Sequence, residues 1–313
     1  MKNVLITGVS GYLGHRLAAE LLNRKDVSLV CGIDIREPDI PAEGLHFTRM
    51  DIRSTDIKKL IIEQNIDTIF HLAFIVQPIH DTKLMHDIDY NGSLNILTNA
   101  KDNGVRQVII TSSTLAYGAH KDNPPLLSEE MTLRGNKTYP YGYNKRIADE
   151  MIQAFAKKNC GLIITILRPC TVFGPKIKNY VSRMLFRRLT IGIMGSDPKV
   201  QFVHEDDMVE AALLAMEKEK PGIFNIAGDG TITTREIAKI LGTVVVPLPA
   251  FLVYPLLELL WRLHFPGIEV NRGYLNYIRF PFIADNSRAK DELNFYPRYD
   301  ALSTLKETIK KAQ

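Results

Sequence analysis

Ser113, Tyr141 and Lys145 are the residues whose types and spacing could do chemistry together. In the run Tyr141-Gly142-Tyr143-Asn144-Lys145 the phenol and the amine stand four residues apart, which on a helix puts both on one face, roughly 5–6 Å apart at Cβ. A phenol with a pKa of about 10 is a poor base at neutral pH, and an adjacent ammonium favours its ionised form. Ser113, in Thr111-Ser112-Ser113-Thr114, can polarise the same substrate oxygen, so the three could move a proton on or off a secondary alcohol. Tyr and Lys at this spacing occur on many helix faces. The pair acquires meaning only beside a site for a redox partner.

Residues 4–14 read as that site. An apolar strand, Val4-Leu5-Ile6-Thr7, runs into Gly8-Val9-Ser10-Gly11-Tyr12-Leu13-Gly14 and then an amphipathic helix from about Tyr12 to Leu22. Gly8 permits a tight turn, Gly11 lets backbone approach a pyrophosphate, and Gly14 lets the helix pack on its strand. Tyr12 and Leu13 then lie at a helix N-terminus that faces the phosphates. A second apolar run ends in Asp34, twenty residues after Gly14, about where an acid meets the adenosine ribose. A carboxylate there repels a 2′-phosphate, which argues for NAD; Arg36 keeps NADP as the alternative.

The remaining pattern supplies the elements that would position these groups. Strands are expected at 45–50, 68–72, 107–112 and 162–167, and helices at 55–64, 84–103 and 141–158. The alternation predicts an α/β fold, a doubly wound parallel sheet with a smaller, interleaved C-terminal substrate lobe, and Ser113 at the end of the fifth strand. Past Arg168-Pro169 turn residues come at short intervals, and helices are expected at 180–189, 205–218, 234–241 and 301–311. The division expected is 1–169 for the dinucleotide, with returns near 200–227 and 282–288, and 170–313 mainly for substrate.

Composition excludes several classes. Of 313 residues, 45% are apolar, enough for a large core. Thirty-nine basic against thirty-five acidic residues give a net charge of +4, too little for a dedicated nucleic-acid binder. Cys31, Cys160 and Cys170 are too scattered for a disulfide framework or a zinc site, so no metal is expected. The chain opens into its first strand without a leader pattern, and a cytoplasmic location is expected. The most apolar stretch, 244–265, is broken by Pro247, Pro249, Pro255, Glu258 and Arg262, and is too short to span a bilayer.

Thr7-Gly8-x-x-Gly11-x-x-Gly14, Asp34, Asp51-Ile52-Arg53, His71-Leu72-Ala73, Ser112-Ser113-Thr114 and Tyr141-x-x-x-Lys145 together resemble an extended short-chain dehydrogenase/reductase of the NAD-dependent epimerase/dehydratase type. Leu167-Arg168-Pro169, Phe202-Val203-His204-Glu205-Asp206-Asp207 and Asp285-Asn286-Ser287-Arg288 continue the resemblance over nearly the whole chain. It implies a Rossmann sheet, NAD on Gly8, Gly11, Tyr12, Leu13, Gly14 and Asp34, adenine at Asp51 and Ile52, and Ala73 along the cofactor. Ser113, Tyr141 and Lys145 become the catalytic set, the latter two also meeting the cofactor. A homodimer through the helices at 84–103 and 141–158 is also implied. One departure is Asp89, three residues before Gly92-Ser93, where the family usually has Asn.

Thr114-Leu115 follows Ser113, where dehydratases and decarboxylases of this type carry acids, so reversible hydride transfer is the chemistry expected. A sugar-nucleotide 4-epimerase-like enzyme is the leading expectation. Against it, Thr171 and Val200-Gln201 replace the usual sugar-nucleotide contacts. Lys176, Lys178, Arg183, Arg187 and Arg188 could instead bind phosphate. The alternative is a dehydrogenase/reductase of an apolar hydroxy or keto compound. For that reading 244–265 resembles the Leu-rich segment of 3β-hydroxysteroid dehydrogenase-like relatives, with Leu256, Leu259, Leu260 and Leu263 expected on one side of a helix. A remote alternative is a non-catalytic NAD-binding regulatory protein.

Overall fold

Val4 and Ile6 point to one face of the first strand and Leu5 to the other, and all three are fully buried. Burial on both faces places that strand, β1 (Lys2–Thr7), inside a parallel sheet. The computed structural model describes residues 1–39, 43–177 and 179–310. On one side of β1 lie β2 (Val27–Asp34) and β3 (Leu45–Arg49); on the other lie β4 (Thr68–His71), β5 (Gln107–Thr111) and β6 (Ile163–Pro169). After the short β7 (Thr171–Phe173), β8 (Leu189–Ile193), β9 (Lys199–Val200) and β10 (Phe202–His204), the chain returns with β11 (Gly222–Ile226) beside β6. The seven strands run β3-β2-β1-β4-β5-β6-β11, every pair parallel. Strand order reverses between β1 and β4, which opens a crevice at their C-terminal ends.

Helices cover both faces. The connections give α1 (Tyr12–Leu22), α2 (Ile57–Glu63), α3 (Thr82–His86), α4 (Ser93–Asp102) and α5 (Pro140–Lys158), followed by α6 (Tyr180–Leu185) and α7 (Glu205–Lys218). Leu17, Ala18 and Leu21 of α1 join Val4, Ile6 and residues of α7 in one core. Ile57 and Ile61 of α2, Ile96 and Leu97 of α4 and Ile152 of α5 join Leu5 in the other.

The helix expected at 84–103 is not continuous: a π-helical turn, Asp87–Gly92, separates α3 from α4. That wider turn lets both Asp89 and Ser93 face inward, at 1% and 0% exposure. Gly92 brings it against Ile52, whose Cδ1 stands 2.5 Å from where a Cβ would be.

The rest of the chain folds around three small strand pairs among the described residues, the first being β7 with β10 in parallel. β9 pairs with β12 (Ile232–Thr233), and β8 pairs in parallel with β13 (Val244–Leu248). α8 (Thr234–Leu241) starts with a Thr233/Glu236 capping box and ends at Gly242 in the left-handed region, a sequence-legible start and stop. α9 (Ala250–Arg262), α10 (Ser287–Leu293) and α11 (Ala301–Lys310) complete the chain. One expectation is corrected here: the helix at 180–189 stops at Leu185, because Leu189 begins β8. The apolar stretch 244–265 divides into β13 and α9. Lys178 and Lys311 lie outside the described residues.

Candidate active site

The phosphate turn lies in the crevice. Gly8 has φ +75°, and a Cβ there would come within 2.9 Å of the backbone N and Cα of Ala73, so β1 and the end of β4 meet only because Gly8 lacks a side chain. A Cβ on Gly14 would strike the Gly8 carbonyl oxygen. No side chain caps α1 and its first turn holds no acid, while His15 is the first residue to donate back, to Gly11 O at 3.0 Å. The N–H groups of Tyr12, Leu13 and Gly14 are therefore available to an anion. At the end of β2 the Asp34 carboxylate accepts from the backbone N–H of Ser10 and of Arg36, both at 3.2 Å, which fixes it beside the turn. These donors and this acid fit the pyrophosphate and ribose of a dinucleotide.

Asp51 and Ile52 follow β3. The Asp51 carboxylate accepts from Arg53 Nη2 at 2.6 Å and Nε at 3.0 Å, and this pairing holds its pKa below the ordinary carboxylate value. Ile52 is a core residue, 6% exposed.

Ser113 leaves β5 as the N-cap of a 3₁₀ turn, Thr114–Tyr117, its hydroxyl accepting from Leu115 N at 3.1 Å. α5 reaches that turn through Gly142, where a Cβ would lie 2.6 Å from the Tyr277 hydroxyl and 3.4 Å from Leu115 O. Tyr141 and Lys145 both lie on α5, 9% and 3% exposed. Lys145 Nζ donates to Thr111 O at 3.0 Å and stands 3.2 Å above the Phe74 ring. Burial lowers its pKa to about 7, against the raising effects of Asp89 and Asp149. Burial also raises Tyr141 above its ordinary value, and the Asp89 charge adds to that. The Tyr141 hydroxyl has no hydrogen-bond partner among the described residues, unlike those of Tyr139 and Tyr180, which bond each other at 2.5 Å. α5 thus carries Tyr141 and Lys145 to the end of β5, where Ser113 caps the 3₁₀ turn.

Asp89, set aside on sequence grounds, belongs to these surroundings. One carboxylate oxygen accepts from Ile75 N at 2.9 Å, and the other is buried with no hydrogen-bond partner among the described residues. Burial raises its pKa to about 6, with Lys145 acting the other way. His71 does not titrate near neutrality: burial drives its pKa down to about 3, helped by the Lys145 charge. Ser93 Oγ donates to Asp89 O at 2.6 Å, so it accepts from His71 Nε2, and His71 Nδ1 accepts from the Thr7 hydroxyl at 2.7 Å. His71 is a neutral strut. His204 likewise serves as the N-cap of α7, stacked on Tyr299.

Sequence reasoning also passed over Asp149, one helical turn past Lys145 on α5. It accepts from Ser112 Oγ at 2.5 Å and from Arg168 through two bonds, locking α5 to the ends of β5 and β6. Its signal was its i+4 spacing from Lys145 together with the buried Arg168 of the Leu167-Arg168-Pro169 run.

A wall of aromatic rings leads away from Tyr141. Tyr139 meets Tyr141 edge-on at 6.1 Å and Tyr274 at 5.9 Å between centroids. Tyr274 in turn lines a cavity of about 750 Å³ under α9, walled by Leu185, Ile193, Leu257, Leu260 and Ile278. The loop after β4 reaches the end of α9, where His80 stacks on Trp261 at 3.9 Å. Of the residues weighed for phosphate binding, Arg183 is paired with Glu269 and Arg187 donates to Gly267 O. Gln201 exchanges two hydrogen bonds with the Ala284 backbone. The expected α9 stripe divides: Leu260 and the partly exposed Leu256 line the cavity, while Leu259 and Leu263 are 55% and 66% exposed.

The chain is similar to several known proteins over most of its length. An uncharacterized protein of Mycobacterium tuberculosis is 27% identical over 97% of the chain and 82% of its own length. Short-chain dehydrogenase/reductase family 42E member 1 of Xenopus laevis is 28% identical over 69% of the chain and 58% of its own length. The fold matches the Bacillus cereus UDP-glucuronic acid 4-epimerase solved with UDP-glucuronic acid and NAD, with a TM-score of 0.75 at 23% identity over 99% and 98% of the two chains. The family model for the NAD dependent epimerase/dehydratase family matches residues 4–227, a span that includes the phosphate turn, Asp34, Ser113 and Tyr141. The chain belongs to that family, and its cofactor is NAD.

Proposed function

We propose that the protein is an oxidoreductase acting at a secondary alcohol or ketone carbon carried on an apolar body, with Ser113, Tyr141 and Lys145 as its catalytic residues. The observation that carries the substrate class is the aliphatic cavity of about 750 Å³ that ends on Tyr274, two rings from Tyr141. In this reading residues 1–169 carry NAD and 170–313 mainly carry the substrate.

Bound NAD supplies the group that exchanges hydride with the carbinol carbon. The chain handles the oxygen. Ser113 Oγ donates a hydrogen bond to it, and Tyr141, a neutral phenol in the protein alone, donates a proton when a ketone is reduced. In the oxidative direction Tyr141 must accept that proton, and the Lys145 ammonium beside it favours the phenolate. Asp89 favours the charged form of Lys145, and Thr111 O with the Phe74 ring fixes its position.

A second reading, a sugar-nucleotide 4-epimerase, is supported by the shared fold of the Bacillus cereus enzyme over 99% of the chain. One assay separates them. Purified protein with NAD is offered apolar secondary alcohols and, separately, UDP-sugars. The first reading expects NADH to accumulate with an alcohol. Interconversion of a UDP-sugar without net NADH, and inertness toward the alcohols, would replace it with the second.

A further inference from the structure

The outward face of α9 is a row of leucines. Leu252, Leu256, Leu259 and Leu263, at i, i+4, i+7 and i+11, are 50%, 47%, 55% and 66% exposed, and Phe251 and Phe265 extend the row at 75% and 54%. Neighbouring β8 and β13 continue it through Leu189, Ile191, Val244 and Val245. Leu189, Ile191, Val245 and Leu256 also line the cavity, so this apolar surface forms its mouth. An uncovered apolar face of this extent marks an interaction site.

The charge around the face identifies what covers it. Segments 183–193 and 244–272 carry five arginines and two glutamates. Both glutamates are spoken for, Glu258 by Arg262 and Arg272, and Glu269 by Arg183. Arg187 and Arg188, both exposed, form no ion pair among the described residues. The apolar row is therefore edged by uncompensated positive charge. A second copy on a twofold axis would press this edge against its own like charges. A membrane of anionic lipid offers acyl chains to the leucines and phosphates to the arginines. No helix among the described residues is long and apolar enough to cross a membrane, so such contact would lie in its surface.

We infer that α9 and the β8–β13 edge dock on an anionic phospholipid bilayer, with the cavity mouth facing the lipid. This goes beyond the carbinol chemistry and does not depend on it. The mouth would then receive its ligand from the bilayer interface.

The test is co-sedimentation of the full chain with vesicles of phosphatidylglycerol and phosphatidylcholine, and with phosphatidylcholine alone. Binding is expected to the mixed vesicles and to weaken about tenfold or more on neutral vesicles or in high salt. The combined variant Leu252→Ser, Leu259→Ser, Leu263→Ser is expected to lose about tenfold or more in partitioning while keeping NAD affinity, because these side chains point outward and do not line the cavity. Should that variant fail to fold, Arg187→Glu with Arg188→Glu makes the same test through charge alone. Wild-type protein that stays in solution with anionic vesicles would overturn the proposal. So would folded variants that partition like wild type. A dimer in light scattering that the leucine variant dissolves, without vesicle binding, would assign the face to a second copy instead.

Discussion

Arg168 and Asp149 form a two-pronged ion pair out of water behind the candidate active site, Nε and Nη2 of the arginine meeting the two carboxylate oxygens at 2.9 and 2.7 Å. Their side chains are 1% and 0% exposed. The pair fixes the third turn of α5, and with it Lys145 and Tyr141 on the turns before it, to the strand ends that carry Ser113. Removing one partner strands a charge. Arg168→Leu should cost about 3–5 kcal/mol in urea unfolding, the usual penalty for breaking a buried pair. A loss below about 1 kcal/mol, the range of exposed pairs, would mean that the pair is not structural.

Tyr141→Phe tests the proton transfer. The hydroxyl is unbonded among the described residues, so its loss should leave fold and NAD affinity intact. Turnover should fall by about 10² to 10⁴. A variant turning over near the wild-type rate would remove Tyr141 from the catalytic set.

Asp89→Asn should move the pH profile toward lower pH. The Asp89 carboxylate raises both Lys145, which titrates at about 7, and Tyr141. Neutralising it lets Lys145 lose its proton, and Tyr141 ionise, at lower pH than in wild type. Both shifts have the same sign, so the kcat/KM profile moves as a whole. An unmoved profile would show that Asp89 does not act on the pair.

Asp34→Ser removes the acid placed for the adenosine ribose and leaves Arg36 in reach of a 2′-phosphate. NADPH affinity in calorimetry should rise by about tenfold, roughly 1.4 kcal/mol. Wild-type protein that already prefers NADPH to NADH would contradict the assignment of Asp34.

The segment 84–103, formed by α3, the π-helical turn and α4, is expected to pair together with α5 against the same elements of a second copy as a four-helix interface. Light scattering should give a dimer at micromolar concentration. A monomer there would reject that interface.

Near-neighbour rules made much of the molecule legible in sequence. Gly8, Gly11 and Gly14 with Asp34 announced a strand, turn, helix and strand, because backbone freedom, a helix dipole and a ribose contact each demand a residue type at a fixed spacing. α1, α7 and α8 begin and end where caps and periodicity put them. Tyr141 and Lys145 share a face by helix geometry alone.

Other features depend on atoms brought together from distant parts of the chain. The π-helical turn arises where Gly92 meets Ile52 and Asp89 reaches Ile75, so no local period foretold it. Asp149 looked like any polar helix residue until Arg168 closed over it. The leucines of α9 show the same limit: helical spacing grouped Leu256, Leu259, Leu260 and Leu263, but only the packing of β8, β13 and α8 decided that Leu256 and Leu260 border a cavity while Leu259 and Leu263 face outward. Periodicity records which side chains share a face; the partner that covers that face is set by elements far away in sequence.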